Sequence, residues 1–134
     1  MKIMSNRVLV VEDNKIMREV MQHYLNGLKV NCYAVRTGKE AVELAEYFDL
    51  IFMDIDLPGI DGKEATRRIR AIETQKRLRP AVIVATTSGD NDLECLAAGM
   101  NEVCRKPLYR ADVERLIRRW IITKPQNVPR QAVA

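Results

Sequence analysis

The chain has 134 residues, 47% hydrophobic and 30% charged, which is one folded domain with enough apolar content for a core and excludes a largely disordered chain. A net charge of +4 with only 5% aromatics permits contact with a polyanion but argues against a base-stacking platform. Three scattered cysteines (Cys32, Cys95, Cys104) make no disulfide framework, and one histidine, His23, leaves too few ligands for an ordinary zinc site.

Residues 1–6 read as an N-terminal extension without a signal-peptide core. Val8-Leu9-Val10-Val11 is a continuous apolar run, as a parallel strand covered on both faces requires. Ile16, Met17, Val20, Met21 and Tyr24 fall on one face of a first helix ending near Gly27. His23 reads as a surface residue of that helix. Asn31 to Val35 is a weaker strand. Thr37 and Glu40 make a capping box that opens a second helix, Lys39 to Tyr47.

Leu50-Ile51-Phe52-Met53 is the next buried strand, followed by a helix from Lys63 to about Ile72 and a basic connection from Gln75 to Pro80. Val82 to Ala85 is another strand. Asp92 to Ala98 is a short helix stopped by Gly99. Glu102 to Cys104 is a short fifth strand. In the last helix Val113, Leu116, Ile117, Trp120 and Ile121 share one face, which places Trp120 in the core. Residues 7–122 form the folded unit, and residues 123–134, with Pro125 and Pro129, read as a flexible tail.

Five β-α units predict an α/β fold: an open parallel sheet with helices on both faces. Ligands of such sheets sit at the C-terminal strand ends. Those ends carry Glu12 and Asp13, then Asp54 and Asp56, then Thr86, Thr87 and Ser88, then Lys106 and Pro107. Like charges on Glu12, Asp13 and Asp54 repel, and a divalent cation with Lys106 would neutralise them. Hard oxygen ligands favour Mg²⁺. A cation, a lysine and a hydroxyl together suit a phosphoryl group. Asp54 is placed to be the nucleophile and become an aspartyl-phosphate, with Lys106 and Thr86 holding the other oxygens. Taken singly, each residue has a plainer role: Asp13-Asn14 as a helix cap, Asp54 to Asp56 as a turn, Lys106 as a loop lysine. The basic residues at Arg67 to Arg79 and Arg115 to Arg119 read chiefly as solvated faces.

Val8-Leu-Val-Val-Glu-Asp-Asn14, Asp49-Leu-Ile-Phe-Met-Asp-Ile-Asp-Leu-Pro-Gly-Ile-Asp-Gly62, Val82-Ile-Val-Ala-Thr86, Ala98-Gly-Met100 and Lys106-Pro107 follow in order. Together they resemble the receiver domain of two-component response regulators, including receivers of hybrid histidine kinases and single-domain chemotaxis-type regulators. The resemblance runs from Arg7 to Ile122. It implies a flavodoxin-like, doubly wound (βα)5 fold with strand order 2-1-3-4-5.

It also implies roles. Asp54 is the phosphoacceptor. Asp13 ligates Mg²⁺ (or Mn²⁺) directly, Glu12 through water, and Asp56 through its backbone carbonyl. The Asp56 side chain and Ser88 tune phosphoryl lifetime. Lys106 precedes a cis peptide to Pro107, and Thr86 is the switch hydroxyl. The donor is a histidine kinase or histidine phosphotransfer domain. The output face is the fourth helix, fifth strand and fifth helix, which meet a downstream protein partner. The expectation is a cytoplasmic signalling protein, neither a turnover enzyme nor a nucleic-acid binder nor inserted in a membrane.

Three departures stand out. Val103 occupies a position where the family often has an aromatic partner of the switch. Thr87 stands where a smaller residue is common. The stretch from Thr86 to Gly99 is about two residues short, so a short fourth helix is expected. Two alternatives remain: a haloacid-dehalogenase-like phosphatase using Asp54 and Asp56, and a receiver-like binding module that needs no phosphorylation.

Overall fold

The computed structural model describes residues 7–122. The expectations for residues 1–6 and 123–134 lie outside the described residues.

β1 (Arg7–Val11) leads to α1 (Lys15–Gly27), β2 (Asn31–Val35), α2 (Gly38–Leu44) and a 3₁₀ turn (Ala45–Tyr47). β3 (Leu50–Asp54), α3 (Gly62–Lys76), β4 (Val82–Thr87), α4 (Asp92–Ala98), β5 (Glu102–Arg105) and α5 (Arg110–Ile117) follow, and α5 continues as a π-helical turn (Arg118–Ile122). The strands pair in parallel in the order β2-β1-β3-β4-β5. The order reverses between β1 and β3, which opens a crevice at their C-terminal ends.

The continuous apolar runs are explained by two cores, one on each face of the sheet. Leu9, Val11, Ile51, Met53, Ile83 and Ala85 pack beneath α2, α3 and α4 with Ala41, Ile69 and Cys95. Val8, Val10, Leu50, Phe52 and Val84 pack beneath α1 and α5 with Met21, Leu25, Val113, Leu116 and Ile121. Each strand therefore sends alternate residues to opposite cores. No helix among the described residues is long and apolar enough to cross a membrane.

The capping box forms: Glu40 N–H donates to Thr37 Oγ1 at 3.1 Å, and Thr37 N–H to Glu40 Oε1 at 3.1 Å. Gly99 ends α4 with φ +112°, and α4 is only seven residues long. His23 is exposed.

Four local expectations need correction. Ile16 is 69% exposed; it lies in the first turn of α1, beyond the end of β1, where the sheet offers nothing to cover it. Trp120 packs against the α1-α5 core but is half-buried, not enclosed, because its indole N–H donates to Glu102 Oε1 at 2.8 Å at the sheet margin. α3 runs on to Lys76 and is stopped by Arg77 in a left-handed conformation, so Gln75 and Lys76 belong to the helix. The second helix is α-helical only to Leu44, after which the backbone tightens into the 3₁₀ turn.

Many of the basic residues are ion-paired. Arg67 and Arg68 meet Glu64, Lys76 meets Glu46, and Arg115 and Arg119 meet Glu102. Arg70 does more. Its guanidinium donates to Gly99 O at 3.0 Å, Ala81 O at 2.8 Å, Asn101 Oδ1 at 2.9 Å and Glu73 Oε1 at 2.8 Å. It ties α3 to the starts of β4 and β5 and to the far end of α4.

Candidate functional site

The loop after β1 is fixed by its own side chains. Asn14 caps α1, accepting from Met17 N–H at 2.9 Å. Its own N–H donates to Glu12 Oε2 at 3.1 Å. Arg18 reaches back from α1 and donates to the carbonyls of Glu12 and Asp13, both at 3.0 Å. These bonds leave the Asp13 carboxylate exposed and the Glu12 carboxylate buried.

Asp54 ends β3 in register with Thr86 of β4. Its side chain is 2% exposed, and Oδ1 accepts from Asp56 N–H at 3.0 Å. Position 62 presses from behind: a Cβ there would stand 2.4 Å from the Asp54 carbonyl oxygen, so only glycine fits. The Ile55 N–H donates to Thr86 O at 3.2 Å, joining the ends of β3 and β4.

Lys106 completes the group. Its N–H donates to Thr87 O at 2.8 Å, and the Lys106–Pro107 peptide is cis. Its Nζ lies 3.1 Å from Glu12 Oε1 and 3.1 Å from Asp54 Oδ1. One carboxylate oxygen each from Glu12, Asp13 and Asp54 lies within 4.8 Å of the others.

The electrostatics follow from this packing. Burial pushes the Glu12 carboxyl up, and the Asp54 charge adds to it, against the opposing pull of the Asn14 amide and Lys106. Burial works against the Lys106 ammonium, but the Asp54 and Glu12 charges outweigh it and its pKa is raised. With three carboxylates ionised and one ammonium beside them, the site is short of two positive charges.

A cavity of about 20 Å³ adjoins Glu12 and Lys106, bounded also by Phe52, Thr86 and Leu108. That is room for one water molecule. Thr86 is buried at the rim of this cavity. Asp56 and Ser88 are exposed beside the site, and Val103 is half-buried against the α2-α3-α4 core. The converging carboxylates are those of Glu12, Asp13 and Asp54, while Asp56 turns its backbone N–H to Asp54.

Arg18 and Gly62 support the site without being visible as site residues in the sequence. Arg18 follows Asn14 by four residues, one helical turn, which is the only sequence signal of its reach. The role of Gly62 depends on how closely α3 approaches β3.

The family model for the response regulator receiver domain matches residues 8–118. The chain belongs to the receiver domain family. It is 31% identical over 122 residues to hybrid signal transduction histidine kinase L of Dictyostelium discoideum, covering 85% of this chain and 7% of that protein. It is 33% identical over 119 residues to the sensor protein GacS of Pseudomonas syringae pv. syringae, covering 85% of this chain and 13% of that one. The receiver thus spans only a small part of these relatives. Among solved structures it is similar to the receiver domain of Saccharomyces cerevisiae Ssk1, co-crystallised with the histidine phosphotransfer protein Ypd1. The TM-score is 0.81 at 31% identity, covering 85% of this chain and 87% of that one. It is also similar to the receiver domain of the sensor histidine kinase PA1611 of Pseudomonas aeruginosa, whose active-site cleft coordinates a magnesium ion. There the TM-score is 0.78 at 38% identity, with coverage of 89% and 99%. The strand order predicted from the resemblance is the one observed.

Proposed function

We propose that residues 7–122 are a phosphoacceptor in a two-component phosphorelay, with Asp54 as the residue that is phosphorylated. The observation that carries this reading is the convergence of Glu12, Asp13 and Asp54 within 4.8 Å with Lys106 at 3.1 Å from two of them. The donor set fits Mg²⁺ or Mn²⁺: the ligands are hard oxygens, and the missing charge equals that of a divalent ion. Glu12, Asp13, Asp54 and the backbone carbonyl of Asp56 would hold it. When bound, it supplies the positive charge that a phosphoryl group needs beside a carboxylate.

The reaction proceeds at Asp54. A carboxylate oxygen attacks the phosphorus of a phosphohistidine on a histidine kinase or phosphotransfer domain. The new O–P bond forms as the N–P bond breaks, and the electron pair returns to the imidazole. Lys106 pairs with a phosphoryl oxygen, and the Thr86 hydroxyl donates to another. Asp56 and Ser88, exposed at the mouth, govern access of water and so the lifetime of the product. Val103, in register with Ala85 and packed against the α2-α3-α4 core, supplies no aromatic ring to accompany Thr86, so the switch works through the Thr86 hydroxyl and its strand. The signal leaves through α4, β5 and α5 to a protein partner. The domain turns over no substrate of its own, works in the cytoplasm and binds no nucleic acid directly. The phosphatase alternative is set aside because the family that matches is the receiver family.

The test is phosphoryl uptake from acetyl phosphate, with and without Mg²⁺, read by intact mass, with Asp54→Asn as control. Metal-dependent uptake lost in the variant supports the reading. Absence of uptake from both acetyl phosphate and a phosphohistidine donor overturns it in favour of a binding module.

A further inference from the structure

We propose that Thr87 is a positioning residue for its neighbour Thr86. Together with Asn91 and Arg105 it latches the loop between β4 and α4 in its resting position and sets how readily the site accepts a phosphoryl group. The proposal rests on the receiver reading above.

Thr87 and Arg105 are the last register pair of β4 and β5. Both reach into the same short loop. The fully buried Thr87 hydroxyl accepts from Gly89 N–H at 2.9 Å and donates to Asn91 Oδ1 at 3.2 Å. Arg105 pairs with Asp92 and lies 3.5 Å from Asp90. One cross-strand pair therefore holds residues 89–92 from two sides. Lys63 of α3 adds a bond to Glu94 in the next turn, at 2.9 Å.

The parts are unequal. The arginine and lysine pairs involve exposed carboxylates and are weak in water. The Thr87 hydroxyl is buried, and a buried hydroxyl must keep a partner. Its bond to Asn91 is longer than the usual O–H···O range, so a shift of a few tenths of an ångström breaks it. Thr86 and Thr87 share a peptide bond. Any advance of Thr86 toward a group on Asp54 drags Thr87 with it and loosens the latch. The far end of α4 is fixed by Arg70 on Gly99 O, so a freed near end makes α4 pivot rather than detach. Leu93, 83% exposed, and Leu96 lie on the helix that turns.

A latch on the resting state opposes any ligand that favours the other state, by the free energy of the latch. The experiment titrates the full chain with beryllofluoride, a phosphoryl mimic, in Mg²⁺, following ¹⁹F NMR. Thr87→Val removes the hydroxyl at constant volume, Thr87→Ser keeps it, and Asn91→Ala removes its acceptor. Thr87→Val and Asn91→Ala are expected to bind roughly 3–10-fold tighter than wild type, the size of one hydrogen bond. Thr87→Ser is expected to match wild type. The double variant Thr87→Val/Asn91→Ala is expected to gain little over either single one, since both remove one bond. A merely damaged structure would bind less tightly, not more. Equal or weaker binding by both single variants overturns the latch. If Thr87→Val does not fold, Asn91→Ala decides alone, since Asn91 is half-exposed in the loop. Wild-type protein that takes up no beryllofluoride overturns the phosphoacceptor reading itself. Wild-type uptake that depends on Asp54, with no gain in either variant, overturns the latch alone.

Discussion

Lys106 Nζ stands at the same distance, 3.1 Å, from the buried carboxylates of Glu12 and Asp54. One cation shared by two buried anions, with Asp13 close by, leaves the metal-free site under-neutralised. Such a site destabilises the fold in exchange for a binding function. Asp13→Asn is therefore expected to raise metal-free stability by about 0.5–2 kcal/mol. The same change is expected to remove most of the stabilisation that Mg²⁺ gives. Urea unfolding with and without Mg²⁺ checks both.

Protons and Mg²⁺ compete for Glu12. Its carboxyl titrates above 4.5, so competition begins at a higher pH than for an ordinary glutamate. Mg²⁺ affinity is expected to fall as pH drops toward that range, by at most about tenfold per pH unit for one proton. Glu12→Gln is expected to weaken binding and flatten the profile. Calorimetric titration of Mg²⁺ at a series of pH values from neutral downward is the measurement.

The same groups give the metal-free protein a pH-dependent stability of known sign. Folded Glu12 holds its proton to a higher pH than unfolded Glu12. Stability from this group is thus lost as pH rises from 4.5 through the raised folded value. Lys106 acts at the other end: its contribution is present below 10.5 and is lost as pH rises through its raised folded value. Thermal melts across pH in chelator are expected to show both declines, and Glu12→Gln to remove the acidic one.

Ile16 is 69% exposed, two residues beyond the Asn14 cap, in the first turn of the helix that follows Glu12 and Asp13. Ile16→Asp is expected to change stability by no more than about 0.5 kcal/mol, as for other surface substitutions. An apolar side chain in that place suits a protein donor docking over Asp54. The variant is expected to slow transfer from a phosphohistidine protein by roughly tenfold, the cost of one lost apolar contact. Uptake from acetyl phosphate should be unchanged, and a parallel loss there would show that the effect is on the site rather than on docking.

Arg70 holds the side opposite the site. Arg70→Met leaves the buried Glu73 without its guanidinium and removes the Arg70 bonds to Gly99 O, Ala81 O and Asn101 Oδ1, the last of which still accepts from Ile83 N–H. About 2–4 kcal/mol of destabilisation is expected, somewhat below the full cost of breaking a buried pair because Arg70 is 22% exposed. The denaturant midpoint reads this directly.

The strands and the site were legible because both are written as local signals. Three apolar runs, Val8 to Val11, Leu50 to Met53 and Val82 to Ala85, each end in an acid or hydroxyl, and Lys106-Pro107 closes the set. Ile16 was misplaced because helical periodicity shows which residues share a face, not where the sheet beneath them stops. Trp120 packs against the core as its stripe predicts but stays half-buried, because a hydrophobic stripe does not show that its indole N–H must meet Glu102. The end of α3 was missed because the apolar pattern stops at Ile72 while polar helix formers carry on to Lys76. The partnership of Thr87 with Asn91 was not legible, since it depends on the path of a loop that no periodicity describes.

The absence of room at position 62 has a mechanical consequence. α3 stands against the back of Asp54 as a fixed anvil, through a contact that tolerates no side chain. The Ile55 N–H bond to Thr86 O ties the same strand end to β4. The main chain that carries Asp54 is therefore braced by a helix on one side and a strand on the other, a rigid seat for a side chain that must take up a group.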